Sequence, residues 1–345
     1  MNSPRQLPSR NPSVRPLGDV KLTLELDPHQ GSPPESTLAP TDSVQVLAKY
    51  GKSFRFAGRF LSQKVLQDCA KLYHFCRLLD DVVDETEDKS LALIALNNVR
   101  FDLKQQFSQQ AVVQNFIVLS QQYCFDSDTA EELLNGLESD LTEVECKSEQ
   151  ELKRYSYRVA GVVGVFMCQI MGVRNKEALA HGVDLGIAMQ MTNIARDVIE
   201  DAAAGRRYLP GNWVACSPEE LQSPNKQDAA AIQRGVRRLL IEADLYYCSA
   251  WEGLKYLPMR NRIAIAVAAE VYRGIGVKLK QRDCDIWKGR VHIGIVRKSA
   301  LAIKALIKLL QINLQSNDNN PHQMELHLAL KNLPHTNTSA KEAST

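Results

Sequence analysis

Apolar residues recur at i, i+3, i+4 and i+7 from Ser43 to about Leu314, and no sustained apolar–polar alternation interrupts them. A repeat near 3.6 residues lays one apolar stripe along each segment, so the pattern predicts helices almost throughout and little sheet. The predicted helices span 43–50, 53–60, 63–84, 89–108, 110–122, 127–145, 148–172, 175–202, 226–255, 258–283 and 294–314. Breaks at Gly205 to Pro210, Ser217-Pro218 and Ser223-Pro224 leave a loop-rich interval of about twenty residues, which predicts a lid or binding flap. The expected organisation is a disordered, Pro- and Ser-rich N-terminal extension (1–42), one all-α domain (43–314) and a polar, frayed C-terminal tail (315–345). Arg5, Arg10 and Arg15 lack nearby acids, as in a transit peptide, but the proline spacing opposes an amphipathic helix there.

Composition narrows the class. The chain has 345 residues, 44% of them apolar, enough for a sizeable core. Its 42 Lys and Arg against 40 Asp and Glu leave a formal +2, so no global field argues for nucleic acid. The eight cysteines are scattered, without a CxxC pair or a Cys/His cluster at zinc spacing, and read as reduced, mostly buried groups. The most apolar stretch, Val159 to Val173, is interrupted by Gln169 and falls short of the ~20 residues a spanning helix needs. A transmembrane segment is not expected.

Local charge carries the chemistry. Asp80 and Asp84 stand at i and i+4 on one predicted helix face, with Arg77 one turn earlier on the same face and Asp81 pointing elsewhere. On a second helix Gln190, Asn193, Asp197 and Asp201 follow at +3, +4 and +4, a polar stripe beside apolar faces. Like charges at i, i+4 repel by roughly 0.2 to 0.5 kcal/mol per pair, so two such stripes call for a cation. Oxygen donors from facing helices suit hard Mg²⁺, which keeps waters and shares its coordination with substrate phosphates. Arg77 would be out of place beside a lone metal, but a guanidinium grips phosphate oxygens bidentately. Arg196, Arg206, Arg207 and Tyr208 lie near the second stripe. A third stretch, Tyr155 to Gly164, sets Gly161 and Gly164 in a strongly apolar helix at a cost of roughly 1 kcal/mol each. Close helix packing and room for a long apolar ligand both explain them. Facing each other across an apolar cavity, the two stripes would form a site that ionises an allylic diphosphate, with a dry pocket sheltering the carbocation.

These strings, with Cys76-Arg77 ahead of Asp80 and Tyr208-Leu209-Pro210 closing the second motif, resemble the squalene and phytoene synthases, most closely the bacterial-type phytoene synthases. The resemblance covers about Ser43 to Leu310. It implies a single-domain isoprenoid synthase helical bundle around a central apolar cavity. It also implies head-to-head joining of two prenyl diphosphates through a cyclopropylcarbinyl diphosphate. Carried over by position, it makes Asp80, Asp84, Asp197, Asp201 and Tyr155 the catalytic set, and Asp80, Asp84, Asn193, Asp197 and Asp201 the ligands of two to three Mg²⁺ (or Mn²⁺) ions bridging diphosphate. Lys52, Ser53, Arg77, Arg196, Tyr208, Tyr272 and Arg290, with Lys298, would contact the substrate's polar end. Ala160, Val163, Gly164, Met167 and Gln190 would line the cavity. One departure is Gly51 ahead of Lys52-Ser53-Phe54, where the family's pattern has a serine.

Gly58 and Ala70, where relatives with fifteen-carbon substrates carry bulky aromatics, imply room for geranylgeranyl diphosphate and a phytoene product. A fifteen-carbon synthase making dehydrosqualene or hydroxysqualene is the alternative within the class, and a non-catalytic assembly factor the alternative outside it; the latter predicts eroded acidic motifs, which are intact here. A calcium loop would need ligands at alternating positions around a glycine, a spacing this chain lacks. No dinucleotide fingerprint calls for NADPH. A cytoplasmic enzyme of carotenoid biosynthesis, touching a membrane peripherally because its product is so apolar, is the expectation. The basic run Lys278, Lys280, Arg282, Lys288, Arg290, Arg297 and Lys298 fits that surface or a solvated face equally well.

Overall fold

Side-chain caps open most of the helices that the apolar periodicity predicts. The computed structural model describes residues 41–142, 144–315 and 322–336; the predicted extension, up to residue 40, lies outside them. The first half comprises α1 (Thr41–Tyr50), α2 (Lys52–Gly58), α3 (Gln63–Glu85), α4 (Lys89–Gln105), α5 (Ala111–Tyr123) and α6 (Ser127–Ser139). Next, α7 (Glu149–Ser156) and α8 (Val162–Ile170) flank a π-helical turn at Tyr157–Gly161. The second half holds α9 (Lys176–Ala203), α10 (Pro218–Gln222), α11 (Lys226–Gly253), α12 (Met259–Lys280) and α13 (Ile295–Gln315). Ser62, Asp88, Ser148, Asn175 and Asn225 each accept a first-turn amide that the helix itself leaves unpaired.

The two 28-residue helices α9 and α11 pack along each other, and α8 with its π-turn lies on another side of α9. A Cβ on Gly164 would stand 2.0 Å from the Gly182 carbonyl oxygen, and one on Gly186 would stand 2.1 Å from that of Ala160. Only glycine lets these backbones meet, so close packing is one role of the small residues. The core around them buries Phe75, Phe116 and Phe166, with the first two rings stacked at 3.9 Å.

Four expectations change. The helix predicted over 127–145 ends at Ser139, and Val144–Glu145 (β1) pairs in parallel with Arg206–Arg207 (β2). The helix predicted over 148–172 is interrupted by the π-turn, one residue wider than the 3.6 repeat that periodicity detects. The interval after α9 is packed rather than flap-like: Arg207, Tyr208, Leu209, Val214 and Leu221 are buried, and a Ser217/Glu220 capping box opens α10. Most consequential, the tail predicted to fray is docked over His322–Thr336, where His327, Leu330, Leu333 and Thr336 are buried. The Tyr246 and Tyr157 hydroxyls donate to the carbonyls of Leu326 (2.8 Å) and Pro334 (2.7 Å), and Arg154 to that of Ala329 (3.2 Å). Those backbone groups find partners on the domain, so a locally polar sequence is held in place. Among the described residues no helix is long and apolar enough to cross a membrane.

Candidate active site

The end of α3 and the second half of α9 deliver both acidic stripes to one cavity of about 1010 Å³. Asp80 and Asp84 line it from α3; Gln190, Asn193, Arg196, Asp197 and Asp201 line it from α9. Ser53 of α2, Tyr155 of α7, Ala160 of the π-turn, Val163, Gly164 and Met167 of α8, Tyr208 after β2, and Tyr272 of α12 complete much of the wall. Arg290 and Lys298 close it from the loop before α13 and that helix's first turn. Lys52 opens α2 next to Ser53. Gly58 also lines the cavity, but Ala70 is fully buried and is not part of its wall; Leu66 and Cys69 stand there instead. The chain-length reading therefore loses one of its two supports.

Arginines cover the acids. Arg206 Nη1 donates to Asp84 Oδ1 at 2.7 Å, tying the two motifs together across 122 residues. Arg290 donates through Nε and Nη2 to both oxygens of Asp197 at 2.7 and 2.8 Å, and Arg196 grips the same carboxylate through Nε at 2.7 Å and through Nη2. Burial pushes the Asp197 pKa up, but these two guanidiniums outweigh it and hold it below the ordinary carboxylate value. Asp197 also leaves helical geometry (φ −107°, ψ 16°), so α9 kinks at the middle of its stripe. Arg77 corrects the sequence reading: it pairs with Asp81, one turn on, and stacks over Tyr50 at 5.0 Å, while still lining the cavity. The i, i+4 spacing puts Asp81 within reach of its long side chain. Arg207, expected near the site, is buried instead against Glu145 and the carbonyls of Cys146 and Leu209.

The remaining acids are strained by one another. Asp80 is exposed to the cavity, but the protein crowded around it and the charge of Asp84 lift its pKa to about 7 despite Arg77. Burial and the charge of Asp197 lift Asp201 to about 8. Asp140, which the sequence reading missed, lines the same cavity just past α6. It accepts hydrogen bonds from the hydroxyls of Tyr155 (2.9 Å) and Tyr208 (2.8 Å), whose rings stack at 4.6 Å. Burial raises it to about 6, although both hydroxyls pull the other way. One signal was present: Asp140 continues the buried stripe of Leu133 and Leu137 at i+7 and i+3.

This donor set fits a hard cation. It offers only oxygens, and Asn193 Oδ1 is buried without a hydrogen-bond partner while its Nδ2 donates to Gln190 Oε1 at 3.4 Å. A metal ion would satisfy that orphaned acceptor and relieve the charge that raises Asp80 and Asp201.

The model of the squalene/phytoene synthase family matches residues 47–297. A 15-cis-phytoene synthase of Pantoea ananas is 35% identical over 281 residues, covering 76% of this chain and 89% of that protein. A phytoene synthase of Rhodobacter capsulatus is 36% identical over 252 residues, covering 71% and 74% respectively. Among solved structures, a ligand-bound dehydrosqualene synthase superposes with a TM-score of 0.70 at 24% identity, covering 78% of this chain and 95% of that one. At that identity the superposition speaks for the fold.

Proposed function

The chain belongs to the squalene/phytoene synthase family, and from that premise we propose that it joins two geranylgeranyl diphosphates head to head (1′-1), through a cyclopropylcarbinyl diphosphate, to phytoene in carotenoid biosynthesis. The observation that carries the mechanism is that one cavity gathers both acidic stripes and their arginines, with apolar side chains along much of its remaining lining. Asp80, Asp84, Asn193, Asp197 and Asp201 would hold two to three Mg²⁺ (or Mn²⁺) ions, and Mg²⁺ when bound supplies positive charge that makes diphosphate a good leaving group. Arg196 and Arg290, which now occupy both oxygens of Asp197, would turn to the diphosphate as that carboxylate takes its cation. Ser53, Arg77, Arg206, Tyr272 and Lys298, with Lys52, would complete the polar clamp. The allylic C–O bond of one substrate breaks first and the C–O bond of the cyclopropylcarbinyl intermediate second. Each electron pair leaves with diphosphate, the arginines hold that group against return, and one proton is lost on closing the cyclopropane and one on forming the product's central double bond. The apolar walls from Ala160 to Met167 keep water from the cation, and the stacked faces of Tyr155 and Tyr208 stabilise it. Asp140 fixes both hydroxyls and so sets the angle of both rings.

The reading extends to location: the enzyme works in the cytoplasm against a membrane surface. Val296, Ile303, Ile307 and Leu310 of α13 are exposed at helical spacing, beside Arg297 and Lys304. Incubating the purified protein with geranylgeranyl diphosphate and Mg²⁺, without NADPH, should yield phytoene and free diphosphate. Turnover of farnesyl diphosphate alone would overturn the chain length, and turnover of neither would overturn the activity.

A further inference from the structure

Away from the acidic stripes, two histidines bond to one buried carboxylate and a third reaches it through a serine hydroxyl. Asp184 on α9 accepts from His322 Nε2 on Oδ2 (2.7 Å), from Ser249 Oγ of α11 on the same oxygen (2.5 Å), and from His327 Nε2 on Oδ1 (2.8 Å). His181, one turn before Asp184, meets Ser249 Oγ through Nδ1 at 2.8 Å. The side chains of Asp184, His322 and His327 are wholly inaccessible, and His181 is 3% exposed. The His322 ring lies 5.0 Å from that of His181 and 4.4 Å from that of His327.

Proton counting defines what the cluster offers. The Ser249 hydroxyl spends its proton on Asp184, so its bond to His181 needs the proton on Nδ1. That leaves His181 Nε2 as a bare lone pair, and it is buried with no hydrogen-bond partner. One donor atom from each of His181, Asp184 and His322 lies within 4.8 Å of the others. Histidine at i and aspartate at i+3 share one face of α9, and His322 comes from the docked C-terminal segment.

We propose that His181, Asp184 and His322 form a second metal site, for a borderline ion such as Zn²⁺ or Co²⁺, that fastens the C-terminal segment to α9. Two imidazoles and one carboxylate match the ligands such ions choose, whereas the oxygen-only active site suits Mg²⁺. On binding, the metal takes the place of the proton that His322 Nε2 shares with Asp184; from a neutral imidazole that proton moves to Nδ1, and from an imidazolium it leaves to solvent. His327 on the second oxygen and Ser249 between His181 and Asp184 orient the ligands, as outer partners do in such sites.

The test uses the full chain, stripped with chelator, loaded with Co²⁺ and passed through gel filtration in excess Mg²⁺. The expected result is one retained equivalent with visible d–d bands of four-coordinate cobalt, unchanged in Asp80→Asn and lost in His322→Asn. Ser249→Ala should weaken retention about 10- to 100-fold. Wild-type protein that retains no Co²⁺ under Mg²⁺ would overturn the site and leave the cluster a hydrogen-bonded latch. So would retention undiminished in both His322→Asn and His181→Asn, checked for native circular dichroism.

Discussion

Asp140 shows how a single side chain can matter without belonging to a recognisable motif. Asp80, Asp84, Asp197 and Asp201 were legible because paired acids on one face of an apolar helix demand an explanation. Asp140 has no such partner; its importance comes from Tyr155 and Tyr208, 15 and 68 residues away. Asp140→Asn should keep its shape but turn two charge-assisted hydrogen bonds into neutral ones. Steady-state kinetics should register a fall in turnover of about tenfold or more. Asp197→Ala should abolish turnover while the helical circular dichroism survives; normal activity would refute the clamp. Titration offers a separate check on the metal-free protein. Asp80 and Asp201 bind protons near pH 7 and 8 in the fold, against 3.8 for a free carboxylate. The native state therefore holds protons that the unfolded chain has released, and stability is lost as pH rises from about 4 to about 8. In chelator, the melting temperature should fall over that range, and less steeply in Asp201→Asn. Equal slopes would sink the assignment.

Among the elements, the helices were readable because apolar spacing and capping residues agree along the chain, from Ser62 before α3 to Asn225 before α11. The π-turn at Tyr157–Gly161 was not, since Val159 to Phe166 holds no polar residue whose displacement by a wider turn would mark it. Nor was the end of α6, where β1 and β2 pair residues 62 apart in the chain. Of the two explanations for the glycines, close packing holds at Gly164, which faces the Gly182 carbonyl while also lining the cavity. Gly164→Ala would have to part α8 from α9, at a typical overpacking cost of about 1–3 kcal/mol. Thermal denaturation should show this as a lowered midpoint, with a loss of activity larger than unfolding alone explains, because the same shift moves Val163 and Met167.

For the whole domain, cavity depth decides which substrate fits. Gly58→Val would place a Cβ 2.8 Å from Leu66 Cδ1 and push that side chain further into the space. The preference in kcat/KM for a twenty-carbon over a fifteen-carbon diphosphate should drop about tenfold or more, the usual worth of a methylene or two in an apolar pocket. Product ratios in mixed-substrate assays measure it directly. The C-terminal segment was the feature least visible beforehand, because its anchors are tyrosine hydroxyls and an aspartate that lie far away in the chain. Its docking has a consequence for the order in which the protein is made. Asp184 leaves the ribosome 138 residues ahead of His322 and 143 ahead of His327, so α9 and α11 can pair early around a carboxylate that lacks two of its donors. Until translation has passed His327, the nascent domain carries that unmet charge at its centre. Its last step of folding waits for the stretch that carries both histidines.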